Sequence, residues 1–119
     1  MSKIMVLEDE PRIRKLLGAV LRKRKHSVRE ASRVREALDL ARAARFDLIL
    51  LDQRLPDGSA LDFCQALPAE ARQTPKLLIT GEKPLDWNAD FWASFGVKGY
   101  LVKPVPFPEL LEAIQPWLA

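Results

Sequence analysis

Cysteine occurs once in the 119 residues, as Cys64, and histidine once, as His26. A lone cysteine closes no internal disulfide, and no Cys or His partner lies at metal-ligand spacing, so a thiol-stapled fold and a Cys/His zinc site are both excluded. Cys64 reads as a small core residue in a reducing compartment. Long apolar runs are also missing. Ile4 to Leu7 is too short for the hydrophobic part of a secretion signal, and nothing approaches the ~20 residues of a membrane helix. The expectation is a cytoplasmic protein with no membrane partner. Aromatic residues are absent from the basic run Arg22-Lys23-Arg24-Lys25, which removes any stacking platform for single-stranded nucleic acid. That run reads instead as the cationic end of a helix.

What is present is 48% hydrophobic residues and a formal net charge of only +3, enough apolar material for one domain over residues 1–119. Lys3 to Leu7 has strand length. Pro11 suits the first turn of a helix carrying Ile13, Leu16, Leu17, Val20 and Leu21 on one face. His26 to Ala31 reads as a second strand, with Ser32 as N-cap of a helix bearing Val34, Ala37, Leu38 and Ala41. Asp47 to Leu51 is continuously apolar after its first residue, as a strand covered on both faces should be.

Asp52 ends that third strand, and "QRLPDGS" is a turn-rich loop before a helix from about Ser59 to Ala66. Lys76 to Thr80 and Val97 to Val102 supply the fourth and fifth strands. A short helix carrying Trp87, Phe91, Trp92 and Phe95 lies between them, and a closing helix runs from Phe107 to Leu118. Alternating strands and helices imply right-handed crossovers and an α/β, doubly wound parallel sheet.

In such sheets ligands bind beyond the carboxyl ends of the strands. Here those ends carry Glu8, Asp9 and Glu10, then Asp52, then Thr80, then Lys103. Clustered carboxylates repel, and a hard divalent cation such as Mg²⁺, which takes oxygen ligands and keeps several waters, relieves them. Asp52 beside that cation suits a nucleophile toward a phosphoryl group, with Lys103 and Thr80 positioned for the oxygens on which charge develops.

In these motifs the chain resembles the receiver domain of two-component response regulators. The acidic pair Glu8-Asp9, the phosphoacceptor Asp52 in "DLILLDQRLPDG", the hydroxyl of Thr80 in "LLITG" and the pair Lys103-Pro104 in "YLVKP" each match a family motif. The resemblance implies a flavodoxin-like (βα)5 sheet of strand order 2-1-3-4-5. It also implies a Mg²⁺ cofactor held by Asp9, Asp52 and the main-chain carbonyl of Arg54, with Glu8 acting through water. The phosphodonor would be a cognate histidine kinase or phosphotransfer protein. Thr80 and Tyr100 would switch the face formed by the fourth helix, fifth strand and fifth helix, a face that also serves phosphorylation-dependent homodimers.

The resemblance also implies that Arg54 and Glu82 occupy the positions that tune loss of the phosphoryl group, and opposite charges there suggest a pair. The Lys103-Pro104 bond is expected cis. Glu8 stands where Asp is commoner, and Trp87 and Trp92 stand where the family's output face is more polar. Such a domain is not an enzyme beyond its own phosphorylation and dephosphorylation. It acts alone or as the N-terminal part of a DNA-binding transcriptional regulator, touching nucleic acid only through an output domain absent from this chain. The alternative is a Mg²⁺-dependent aspartyl-phosphate phosphohydrolase, which is disfavoured because Arg54 takes the place of that group's second aspartate. A flavin or nucleotide carrier is disfavoured by three acids in the first loop, where phosphate would be repelled.

Overall fold

The computed structural model describes residues 1–118; residue 119, the last of the expected domain, lies outside them. The elements are β1 (Lys3–Leu7), α1 (Pro11–Lys23), β2 (Ser27–Ala31), α2 (Val34–Ala43), β3 (Leu48–Asp52), β4 (Arg54–Leu55), β5 (Gly58–Ser59), α3 (Ala60–Ala66), β6 (Lys76–Thr80), α4 (Ala89–Ala93), β7 (Val97–Val102) and α5 (Phe107–Ile114). Five strands form one sheet in the order β2-β1-β3-β6-β7, every pair parallel. This is the flavodoxin-like order expected, with β6 and β7 as its fourth and fifth strands. The two extra strands are a small antiparallel ribbon inside "QRLPDGS", pairing Arg54 with Ser59 and Leu55 with Gly58.

Strand alternation sorts the core into two layers. Met5, Leu7, Ile49, Leu51 and Leu78 face α2 and α3 with Phe63 and Cys64, while Ile4, Val6, Leu48, Leu50, Leu77 and Ile79 face α1 and α5 with Leu17, Leu21, Leu110 and Ile114. Full burial of such side chains contributes roughly 1.5–3 kcal/mol each. Cys64 lies in the first layer as expected, and burial pushes its thiol up to about 11, so it is inert at neutral pH.

Helix boundaries follow the local chemistry in part. Ser59 caps α3 through a reciprocal box with Asp62, each side chain bonding the other residue's backbone N–H. Ser32, by contrast, does not cap α2. Its N–H and hydroxyl both donate to Glu36 Oε1, and the N-cap position falls on Arg33, which offers no side-chain acceptor. The cap comes from a distant loop instead: Asp57 accepts from the N–H of Val34 at 2.7 Å and of Arg35 at 3.1 Å. Those bonds hold the Asp57 carboxyl below its ordinary range and tie the ribbon after β3 to the start of α2. The closing helix is shorter than expected, because Pro116 cannot continue it and Gln115–Trp117 turns into a 3₁₀ segment.

Gly96 joins α4 to β7 at φ +77°, and a Cβ built there would lie 2.6 Å from the Thr74 carbonyl oxygen and 3.1 Å from that of Arg72. Both the left-handed backbone and the contact forbid a side chain. Gly96→Ala should lower unfolding free energy by about 2 kcal/mol or more in urea titrations. A loss under about 0.5 kcal/mol would show that the turn simply re-forms.

Candidate functional site

The parallel register brings the polar strand ends to one edge. Glu8 follows β1, its N–H bonded to the Ala31 carbonyl at the end of β2. Asp52 is the last residue of β3 and pairs in register with Ile79, one residue before Thr80 on β6. Lys103 follows β7, its N–H donating to the Thr80 carbonyl at 2.7 Å, and the Lys103-Pro104 bond is cis as expected.

The side chains meet. Lys103 Nζ lies 2.7 Å from Glu8 Oε1 and 3.3 Å from Asp52 Oδ2. Glu8, Asp52 and Thr80 are buried, whereas Asp9 is exposed at the mouth. Each of Glu8, Asp9 and Asp52 offers a carboxylate oxygen within 4.8 Å of the other two. Burial, and then the Asp52 carboxyl beside it, raise Glu8 to about 7 despite the hydrogen bond from Lys103. Burial lowers the Lys103 ammonium, but the Glu8 hydrogen bond and the charges of Asp52 and Glu8 outweigh it, so the net direction is upward. One ammonium is therefore sharing two buried carboxylates, and the edge is short of positive charge.

The donor set fits a hard divalent cation. Three carboxylates supply oxygen ligands, the mouth is open at Asp9, and no soft nitrogen or sulfur donor competes. Gln53 adds a buried Oε1 without a hydrogen-bond partner among the described residues. Gln53 lines the same cleft, of about 680 Å³, with Asp9, Asp52, Arg54, Thr80, Glu82 and Lys103.

Thr80 Oγ1 donates to the Glu82 carbonyl at 3.0 Å and accepts from the Glu82 N–H at 3.3 Å, so its hydroxyl is turned to its own loop. Tyr100 is half-buried, its ring 4.9 Å from that of Trp87, and Trp87 stacks on Trp92 at 5.5 Å with only 5° between planes. Both tryptophans and Tyr100 pack against the α2/α3 core layer, which accounts for them as partly buried packing residues.

Glu10 occupies the N-cap of α1, and its side chain caps nothing. One expectation needs correcting: Arg54 and Glu82 both line the cleft, but among the described residues no ion pair joins them.

Residues 4–115 match the family model for the response regulator receiver domain. The chain belongs to that family. Among its receiver-containing relatives, response regulator protein PilR of Pseudomonas aeruginosa is 40% identical over 113 residues, which is 95% of this chain and 25% of PilR. Transcriptional regulatory protein ResD of Bacillus subtilis is 34% identical over 114 residues, 96% of this chain and 47% of ResD. The chain thus spans between a quarter and about half the length of these relatives. Among solved receivers, chemotaxis response regulator CheY4 of Vibrio cholerae superposes with a TM-score of 0.84 at 30% identity, covering 99% of each chain. Response regulator TrrA of Thermotoga maritima, in complex with Mg²⁺-BeF, superposes with a TM-score of 0.82 at 28% identity, covering 99% of this chain and 100% of that one.

Several residues that shape the site or the fold behind it carried no motif signal. Asp57 read only as a turn former, because its partners lie more than twenty residues away on α2. Arg14 lies outside every motif of the sequence, yet its Nη1 donates to the Glu8 carbonyl at 2.9 Å. A same-face count would have found Lys76, since it shares strand parity with buried Leu78 and Thr80.

Proposed function

We propose that this receiver domain takes a phosphoryl group onto Asp52 from the phosphohistidine of a kinase or phosphotransfer protein. The observation that supports this best is the convergence at one cleft edge of a buried Asp52, the acids Glu8 and Asp9, the ammonium of Lys103 and the hydroxyl of Thr80.

Asp52 attacks phosphorus through a carboxylate oxygen; the O–P bond forms as the P–N bond breaks, and the electron pair leaves on the donor imidazole, which is protonated by solvent. Lys103, already within 3.3 Å of Asp52, donates to the incoming phosphoryl oxygens. Asp9 and Asp52, with the Arg54 carbonyl, would hold Mg²⁺ directly and Glu8 would do so through water, and the cation would neutralise charge on the phosphoryl oxygens.

Thr80 can then exchange its Glu82 carbonyl for a phosphoryl oxygen. That exchange draws in the loop before α4 and frees space toward which Tyr100 turns, away from Trp87. Because Arg54 and Glu82 are unpaired with each other, each acts separately on the access of water to the phosphoryl group. The switched α4–β7–α5 face is the surface offered to a partner or a second copy. Contact with nucleic acid would require an output domain such as the longer relatives have room for.

Incubation with Mg²⁺ and acetyl phosphate should add one phosphoryl group to the intact mass, and chelation should prevent it. An unchanged mass would overturn the reading.

A further inference from the structure

We propose that Arg14 is a positioning residue for the acidic pair, a strut that fixes the main chain carrying Glu8 and Asp9. The proposal rests on the reading of Glu8, Asp9 and Asp52 as a divalent-cation site.

Beyond the end of β1 the chain leaves the sheet, and the peptide carbonyls there lose their ladder partners. Arg14, in the second turn of α1, supplies them. Its Nη1 donates to the Glu8 carbonyl at 2.9 Å and reaches the Asp9 carbonyl at 3.5 Å. Holding both carbonyls sets the two peptide planes that flank Asp9, and with them the directions in which the Glu8 and Asp9 side chains leave the backbone.

Arg14 is itself held. Its side chain is only 15% exposed, and its Nε lies 3.6 Å from Glu30 Oε1. The second oxygen of Glu30 is taken by Arg22 Nη1 at 2.8 Å, and Arg22 Nη2 bonds the Val28 carbonyl at 3.0 Å. Arg14, Gly18 and Arg22 follow one another at i, i+4, i+8 and so share a helix face. A Cβ on Gly18 would lie 2.9 Å from Glu30 Oε2 and 3.0 Å from Arg22 Nη1. Glycine at 18 therefore makes room for the carboxylate between the two guanidinium groups.

Charge and geometry act in opposite directions here, which makes the idea testable by sign. A guanidinium close to a cation site repels the cation, so if Arg14 mattered only as a charge its removal would tighten binding. If it acts as a strut, removal loosens binding, as loss of outer hydrogen-bond partners commonly does by 10- to 100-fold.

Isothermal titration of Mg²⁺ into wild type and Arg14→Met reads that sign directly. Arg14→Met should bind about tenfold more weakly. Arg14→Lys, which keeps the charge but loses the forked guanidinium, should fall between the two and stands in for Arg14→Met should that variant fail to fold. Melting curves in chelator confirm folding of each. Unchanged or tighter Mg²⁺ binding by Arg14→Met, or by Arg14→Lys in its place, overturns the strut and leaves the cation site standing. Absence of Mg²⁺ binding by the wild type overturns both.

Discussion

Asp52→Asn is expected to gain no phosphoryl group from acetyl phosphate and Mg²⁺ while melting no lower than the wild type in chelating buffer. The substitution keeps the shape but replaces a carboxylate nucleophile by an amide, so phosphorylation should fall to the background of the method. Stability should move the other way, because the folded edge sets two buried carboxylates against one ammonium. With Asn at 52, Lys103 and Glu8 remain as a pair at 2.7 Å, and one cause of the raised Glu8 carboxyl is gone. A raised folded pKa means that the folded protein binds more protons than the unfolded chain between about 4.5 and about 7. The stability contributed by protonated Glu8 is thus complete below about 4.5 and lost as pH rises through about 7. The advantage of Asp52→Asn over the wild type should therefore be larger at pH 8 than at pH 5. A mass gain equal to the wild type's would place the phosphoryl group on another residue. A lower melting temperature at pH 8 would mean that Asp52 stabilises the apo fold, contrary to the geometry.

The parts legible in the sequence were those fixed by short-range pattern. Five apolar runs, Pro11 and Pro104, and the polar residue ending each run were enough for the sheet and for the meeting of Glu8, Asp52, Thr80 and Lys103, because parallel pairing carries every strand end to the same edge. What the pattern hid depends on distance across the fold. The capping of α2 by Asp57 looks like a missing cap when only residues near Ser32 are read. An Arg54 to Glu82 pair is plausible from charge alone, yet both belong to loops whose paths are set by the ribbon and by Thr80, and the pair does not form. Arg14 and Lys76 escape a motif search because cations are usually solvated: Lys76 is held by main-chain carbonyls, and Arg14 by main-chain carbonyls and by Glu30 across on β2.

Lys76→Met is expected to cost on the order of 3 kcal/mol of unfolding free energy, the largest loss of stability among the substitutions considered. Lys76 opens β6 fully buried, on the face that Leu78 and Thr80 share. Its ammonium donates to the carbonyls of Phe95 at 2.7 Å, Thr74 at 2.8 Å and Arg72 at 2.9 Å, with the Ala71 carbonyl, which also accepts from the Thr74 N–H, farther off at 3.3 Å. Burial lowers it to about 8, and the four oxygens facing it favour the charged form, so it is protonated at neutral pH. One side chain thereby closes the loop before β6 and the turn after α4 onto each other, at the same carbonyls that a side chain on Gly96 would strike. Methionine fills a similar volume and adds apolar contact, which sets a limit on the loss. It donates nothing, however, and each buried carbonyl left without a partner costs about 1–3 kcal/mol before water reaches it. A loss of this size lowers the melting temperature by on the order of 10 °C in a domain of this length. The effect should be confined to stability: phosphorylation of folded Lys76→Met should match the wild type, since Lys76 sits at the opposite end of β6 from Thr80. Hydrogen exchange should place the change in the segment from Ala69 to Lys76 and in the turn at Gly96. A loss below about 1 kcal/mol would mean that water satisfies the carbonyls of Arg72, Thr74 and Phe95 as well as the ammonium does.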